Sequence, residues 1–205
     1  MILTAINLVG FRLGGAVLGM VSQIVLARLL PQHDVGVVLM AMSAAALISL
    51  VMTVGYPALS MTCLPRYYAL DRTSLAEAYH RAAWHDILIV SAAVAIVVVA
   101  AVLFGPLDDG VNLALIFGLL TAPASSLIRL TSSTANSLKR FSLSYIPDFL
   151  FRPGLLMAFL LLCWAAGIAL SVTMVLWALV IVAMSVALFQ AWMLGAKGPL
   201  AQIFK

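Results

Sequence analysis

The sequence predicts an all-α fold, a polytopic membrane protein in which six transmembrane helices pack as one bundle. Of its 205 residues, 65% are hydrophobic and only 9% are charged, whereas soluble domains carry about 25% charged residues. The mean hydropathy is +1.18. Membrane-spanning β-strands need only about ten residues and alternate polar with apolar positions, but the apolar runs of this chain are longer and do not alternate. Residues 1–205 are therefore expected to form a single helical membrane domain.

Six apolar runs are long enough to cross a bilayer, for which an α-helix needs about 20 residues. In chain order they cover residues 6–30, 35–54, 83–104, 111–130, 149–170 and 172–194. Between the second and third runs, residues 66–82 predict a cytoplasmic loop with a short surface helix, in which Ser74 and Glu77 have the spacing of a capping box. Between the fourth and fifth runs, residues 129–152 form a basic cytoplasmic connection.

Prolines predict irregularities in these helices. Pro57 and Pro65 bracket a stretch that follows the second run and is not expected to be one uninterrupted helix, because proline lacks the backbone N–H; the alternative is a helix end followed by a proline stop. Pro123 lies inside the fourth run and predicts a kink. Pro147 and Pro153 suit the start of the fifth helix, where the missing N–H costs no hydrogen bond.

The first run has one narrow face of small and polar residues. At 100° per residue, this face carries Arg12, Gly15, Gly19, Ser22 and Gln23 within an arc of about 100°. The remaining faces are largely apolar and compatible with lipid. Because a charge at membrane depth costs at least a few kcal/mol, the narrow face is expected to contact protein or a water-filled cavity.

Two interpretations of this face remain open. Arg12, together with Asn7 and Gln23, is a candidate binding site for an anionic substrate. Alternatively, the side chain of Arg12 extends to the nearer membrane interface, as long basic side chains do. Gly15 and Gly19 are four residues apart and form a candidate packing motif that lets two helix backbones approach closely.

The basic residues predict the orientation of the bundle. All eleven lysine and arginine residues except Arg28 fall on one side of it, and the positive-inside rule assigns that side, with both termini, to the cytoplasm. The formal charge of +4 is thereby explained without a nucleic-acid partner. Arg129, Lys139, Arg140 and Arg152 are candidate contacts for lipid headgroups or a phosphate-bearing lipid, and the positive-inside rule alone accounts for them equally well.

Neither a cofactor nor a metal ion is expected from the sequence. Cys63 and Cys163 match no zinc or redox spacing. His80 and His85 are five residues apart and do not share a helical face. The chain also lacks a G-x-x-x-x-G-K-[ST] phosphate loop and a large loop with a paired acid and base. It is therefore expected to be a membrane protein without enzymatic activity.

Three segments carry a resemblance to a known family, namely VLARLLPQHDVGVVLMAMS, VGYPALSMTCLPRYYALDR and SLKRFSLSYIPDFLFRPGLLM. They resemble the amino-terminal half of bacterial polysaccharide-biosynthesis membrane proteins, the Wzx-like flippases of the MATE-like multidrug/oligosaccharidyl-lipid/polysaccharide exporter superfamily. The resemblance implies one six-helix lobe of a transporter that moves an undecaprenyl-diphosphate-linked glycan across the bacterial inner membrane. It also implies two partners, membrane lipid and a second six-helix lobe in the same or another chain.

Two further functions stay open. A drug or cation antiporter of the same superfamily needs a carboxylate within the membrane. That reading is disfavoured because the seven acidic residues fall in predicted loops or at span ends: Asp34, Asp71, Glu77, Asp86, Asp108, Asp109 and Asp148. A non-transporting lobe that acts as a scaffold in a glycan-assembly complex fits the presence of only six spans.

The predicted orientation can be tested by cysteine labelling. Gln32→Cys and Asp109→Cys should react with a membrane-impermeant thiol reagent in intact cells, because both turns are expected to face the periplasm. Ser137→Cys should remain unlabelled because it is expected on the cytoplasmic side. The reverse labelling pattern would overturn the predicted orientation.

Overall fold

The computed structural model describes the backbone of residues 2–197 and, apart from Ser142, the side chains of residues 9–194. Its elements are α1 (Ile2–Leu29), α2 (Gln32–Met52), α3 (Tyr56–Ala69), α4 (Thr73–Phe104), α5 (Asp109–Ser137), α6 (Phe141–Ile146), a π-helical turn (Pro147–Phe151), α7 (Arg152–Ala165) and α8 (Val172–Lys197). Six helical segments are long and apolar enough to cross a membrane. The prediction of an all-α, multi-pass membrane bundle is confirmed.

The six segments that can cross a membrane differ from the predicted runs mainly at their ends. They are Val9–Leu29, Gln32–Met52, Thr73–Phe104, Asp109–Ser137, Leu143–Ala165 and Val172–Leu194, and we call them the spanning segments. The short surface helix predicted within residues 66–82 is not separate, because α4 begins at Thr73 and continues through the third spanning segment. The predicted capping box of Ser74 and Glu77 does not form, since Arg72 occupies the N-cap position and no side chain caps the helix.

The connection predicted over residues 129–152 shrinks to residues 138–140, because α5 continues to Ser137 and α6 begins at Phe141. Side-chain hydroxyls in this extension of α5 donate hydrogen bonds to backbone carbonyls of the preceding turn. Thr134 donates a hydrogen bond to the Leu130 carbonyl at 2.9 Å, and the Ser137 hydroxyl donates to the Thr134 carbonyl at 2.7 Å. The serine and threonine residues that made this segment look like a loop therefore satisfy their polar groups on the helix itself.

Pro57 and Pro65 do not interrupt a helix, although the sequence predicted that they would. The helix break lies at Val54 and Gly55, which both have left-handed backbone angles, with φ of 48° and 78°. The following helix, α3, has Pro57 in its first turn and continues through Pro65. The break thus occurs before the two prolines and not between them. Glycine favours this position because a left-handed φ costs it no steric penalty.

The fifth membrane-crossing helix contains a π-helical turn that was not predicted. Pro147 and Pro153 were expected at the start of this helix, but the helix begins six residues before Pro147, at Phe141. Pro147 opens the π-helical turn, in which the N–H of Arg152 donates to the Pro147 carbonyl five residues back. Such turns inside α-helices are frequent at functional sites.

α5 is the central helix of the bundle and packs against α2, α3, α4 and α8. Small residues bring α2 and α5 together: a Cβ atom built on Gly118 would lie 2.8 Å from the Cβ atom of Ala44. Val38 of α2 and Leu176 of α8 are fully buried in the same core. α5 is therefore held on several sides, and its polar residues are fixed in position.

α1 contributes Leu26 to this core near its carboxyl end and otherwise follows the fifth membrane-crossing helix in parallel, with few contacts to α2. A Cβ atom built on Gly15 would lie 2.6 Å from the carbonyl oxygen of Phe149, so only glycine permits this approach. A Cβ atom built on Gly19 would have no atom within 4 Å. The close packing predicted for the two glycines therefore occurs at Gly15, and the prediction for Gly19 is wrong within this chain.

Gln190 joins three helices through a fully buried amide. Its Oε1 accepts a hydrogen bond from Thr131 at 3.0 Å, and its Nε2 donates to Ser132 Oγ at 2.9 Å and to the Leu143 carbonyl at 3.2 Å. The same Ser132 hydroxyl donates to the Ser144 carbonyl at 3.1 Å. This network fixes α6 against α5 and α8, at the end of the bundle that contains the 138–140 turn.

Replacement of Gly15 tests the contact between α1 and the π-helical turn. Gly15→Ala should lower the free energy of unfolding by about 1–3 kcal/mol, because the added methyl group forces the backbone of Phe149 to move. Gly19→Ala is the matched control and should raise it by about 0.5–1 kcal/mol, because the added methyl group meets no neighbour and alanine favours a helix over glycine. Thermal unfolding in detergent micelles would measure both, and equal effects would contradict the described packing.

Replacement of Gln190 tests the buried network. Gln190→Leu keeps a similar volume but removes three hydrogen bonds, and we expect a loss of about 1–3 kcal/mol because buried partners remain unsatisfied. The exposed Gln23 is the control, since Gln23→Leu removes no hydrogen bond within the described part of the chain. Denaturation in micelles should rank Gln190→Leu as the less stable variant, and the opposite ranking would refute the structural role.

Candidate functional site

A cavity of about 400 Å³ lies between α1, α2, α5, α8 and the fifth membrane-crossing helix. Its charged lining residues are Arg129, Asp148 and Arg152, and its neutral polar lining residues are Ser22, Gln23, Ser49 and Ser125. Most of the remaining wall is apolar, from residues such as Leu26, Met42 and Leu156. Convergent polar groups in a mostly apolar cavity of this size are typical of ligand sites.

The charged residues lie within spanning segments. Arg152 precedes Ala165, the last residue of α7, by thirteen residues, which is about 20 Å at 1.5 Å per residue. The hydrocarbon core of a bilayer is about 30 Å thick. Arg129 and Asp148 also belong to spanning segments, Asp109–Ser137 and Leu143–Ala165. Charged residues at such positions usually face a cavity or a partner, and these residues face the cavity.

Arg152 is positioned by contacts to both neighbouring elements. Its Nη2 donates a hydrogen bond to Ser125 Oγ of α5 at 3.3 Å. Its Nη1 lies 3.7 Å from Oδ1 of Asp148, and the side chains of Arg152 and Asp148 are 30% and 35% exposed. The two residues are four apart in sequence; Asp148 lies within the π-helical turn and Arg152 directly follows it. The guanidinium is thus oriented toward the cavity and only partly neutralised.

Arg129 lies on the same cavity wall as Ser125, one helical turn further along α5, and its side chain is exposed. Among the described side chains, none forms a hydrogen bond or ion pair with Arg129. The lining therefore contains two cations and one anion. A planar guanidinium can donate two parallel hydrogen bonds to phosphate or carboxylate oxygens, so this arrangement can bind an anionic group.

The residues predicted to bind substrate are only partly brought together. Gln23 lines the cavity as predicted, but Arg12 is not among the lining residues. Arg12 is exposed, donates a hydrogen bond to the Tyr145 hydroxyl at 3.1 Å and stacks over that ring at 5.0 Å from its centroid. The side chain of Asn7 lies outside the described residues.

Arg12 is absent from the cavity lining because it lies too far from the cavity along the axis of α1. Arg12 precedes Gly19, the nearest α1 residue of the cavity wall, by seven residues, or about 10 Å along the helix axis. The helical angle correctly placed Arg12 on the face that contacts protein, but α6 covers this level of α1 with Tyr145. Because residues 141–146 were expected to be loop, this contact could not be predicted.

The predicted basic cluster divides into two pairs. Arg129 and Arg152 line the cavity, whereas Lys139 and Arg140 are exposed in the turn between α5 and α6. Lys139 adopts a left-handed backbone conformation there, with φ of 58°. The first pair therefore faces the cavity, and only the second pair lies in an exposed turn between helices.

Asp148 was not recognised as a site residue from the sequence. It was assigned to the end of a span, but the structure places it inside the spanning segment Leu143–Ala165 and on the cavity wall. Asp86 also lies inside a spanning segment, Thr73–Phe104, where it accepts a hydrogen bond from Tyr56 away from the cavity. The spacing of Asp148 and Arg152, four residues apart, was the available signal, because such residues are neighbours on a helix.

The chain was compared with protein-family models, curated proteins and solved structures, and none of the three comparisons found a match. Function must therefore be inferred from the cavity and from the resemblance of the three sequence segments. The cavity offers two guanidinium groups, one carboxylate and several hydroxyl or amide groups. Such groups suit a ligand that carries both an anion and hydroxyl groups.

Proposed function

We propose that this chain is one lobe of a membrane transporter for a phosphate-bearing, lipid-linked glycan, and that Arg129 and Arg152 bind the phosphate groups. The observation that carries the proposal is the presence of both arginines on one cavity wall inside spanning segments. The resemblance to Wzx-like flippases supports an undecaprenyl-diphosphate-linked glycan as the substrate. Arg12, which the sequence favoured, is replaced in this role by Arg129 and Arg152.

The electrostatics of the cavity favour an anion. One carboxylate, that of Asp148, cannot neutralise two arginines, so a positive charge remains within the spanning segments. Such a charge is costly in a bilayer unless it has a partner. Attraction between unlike charges is also stronger in a low-dielectric surrounding than in water. A diphosphate bound between Arg129 and Arg152 would supply the missing negative charge.

The size and lining of the cavity favour a headgroup over a complete lipid. Ligand cavities are commonly about 300–1,000 Å³, and the volume here is about 400 Å³. This suffices for phosphate groups and the first sugar, while a prenyl chain would remain in the bilayer. Gln23, Ser22 and Ser49 line the same cavity and can exchange hydrogen bonds with sugar hydroxyls.

The proposed assembly has a second six-helix lobe, in the same or another chain. Because an even number of spans leaves both termini on one side, two lobes can lie side by side in the same orientation. We place the protein in the bacterial inner membrane with both termini in the cytoplasm, on the basis of the basic residues. A scaffold lobe without transport activity would have no need for two arginines in an internal cavity.

One observation favours a second candidate, the drug or cation antiporter. Asp148 lies on the cavity wall in a helical segment that is long and apolar enough to cross a membrane, and a carboxylate within a span is what the sequence was expected to lack. An antiporter would use that carboxylate to bind a cationic substrate, a proton or a sodium ion. The neighbouring Arg152 and Arg129 oppose cation binding by like-charge repulsion. We therefore rank the antiporter second.

Binding of farnesyl diphosphate to the purified full chain in detergent micelles tests the first function. Arg129→Ala and Arg152→Ala should each weaken binding about tenfold or more, because each removes a charge-assisted hydrogen bond. Arg66→Ala is the matched control, since Arg66 is exposed on α3 and does not line the cavity. Equilibrium dialysis with radiolabelled ligand would measure the affinities.

Two further probes separate the candidate functions. Farnesol has the same prenyl chain without the diphosphate, and it should bind all variants equally weakly. Tetraphenylphosphonium, a lipophilic cation, should bind poorly to the wild-type chain. Unchanged farnesyl diphosphate binding in both arginine variants would refute the proposed function. Tight tetraphenylphosphonium binding that Asp148→Asn abolishes would establish the antiporter instead.

A further inference from the structure

We propose that Asp148 is an internal counter-ion of Arg152 that competes with the anionic substrate for the charge of the guanidinium, so that Asp148 limits the affinity of the cavity for anions. The inference rests on the proposed function, because it concerns the same cavity and an anionic ligand. It assigns Asp148 a role that neither the sequence pattern nor the resemblance indicated. The observations that carry it are the distance, the hydrogen bonds and the backbone at this pair.

The contact between Asp148 and Arg152 is loose. Their closest charged atoms, Oδ1 and Nη1, are 3.7 Å apart, which exceeds the usual N–H···O hydrogen-bond range of about 2.7–3.2 Å. The hydrogen bond of Arg152 goes to Ser125 instead. Since a guanidinium has five N–H donors, Arg152 has donors available on the side that faces the cavity. Asp148 therefore offsets charge without occupying those donors.

An anion in the cavity would compete with Asp148. A phosphate group that binds Arg152 introduces negative charge beside the carboxylate, and like charges at short range are unfavourable. The other polar residues of the lining carry no negative charge: Ser22, Gln23, Ser49, Ser125 and Arg129. Asp148 is thus the single described source of repulsion in the lining, and its removal should strengthen anion binding.

Arg152 has a second partner besides Asp148. Asp148 is the second residue of the π-helical turn, whereas Arg152 begins the regular helix α7 and is anchored to α5 through Ser125. Ser125 therefore holds the guanidinium at the cavity when an anion and Asp148 compete for its charge. A transported substrate must be released as well as bound, and an internal counter-ion that takes its place assists release.

The test compares farnesyl diphosphate binding to the purified full chain and its variants. Asp148→Asn removes the charge at nearly constant shape and should strengthen binding about tenfold. Asp148→Glu retains the charge and should bind like wild type. Asp86→Asn is the matched control, because Asp86 lies in a spanning segment but does not line the cavity, and it should leave the affinity unchanged.

The dependence on Arg152 is decided by a double-mutant cycle. If Asp148 acts as its counter-ion, Asp148→Asn should have a clearly smaller effect in the Arg152→Ala chain than in the wild type. An equal effect in both backgrounds would overturn the inference, and so would weaker or unchanged binding by Asp148→Asn at wild-type thermal stability. If either result overturned the inference, weaker binding by Arg129→Ala and Arg152→Ala would still support the proposed function. Unchanged binding in both arginine variants would refute that function, and absence of binding by every chain would refute both.

Discussion

The structure depends on side-chain hydroxyls that donate hydrogen bonds to backbone carbonyls of their own helix. Within a bilayer, each polar group needs a partner inside the protein. α5 meets this need locally, as Thr121 shows by donating to the Phe117 carbonyl at 2.7 Å. α5 extends as one helix to Ser137, contains Pro123 and is the common neighbour of α2, α3, α4, α6 and α8. Both the buried network around Gln190 and the cavity wall around Ser125 depend on that central position.

The fold was largely predictable because hydropathy decides which segments can cross a membrane. Helix ends were less predictable, since the polar composition of residues 129–152 is typical of loops, whereas its hydroxyl groups permit helix. This error displaced Arg129 and Arg152 to a surface connection, although both line an internal cavity. Composition records how polar a segment is, but not whether neighbouring helices bury it.

The cavity was predictable in part from α1. Helical geometry correctly grouped its small and polar residues on one face, and Gly15, Ser22 and Gln23 all contact protein or the cavity. The angular position of a residue around the helix does not say how far along the helix axis it lies. For this reason Arg12 was wrongly assigned to the cavity that Gly19 lines. Asp148 required knowledge of a π-helical turn and of the helices opposite it, and neither is visible in a local pattern.

The short joint between α1 and α2 gives the cavity its shape. The two helices are connected only by Leu30 and Pro31, and beyond this joint α1 follows α7 while α2 follows α5. The two helices share this joint but pack against different partners, so few of their side chains meet. The space that they leave belongs to the cavity, which residues of both helices line.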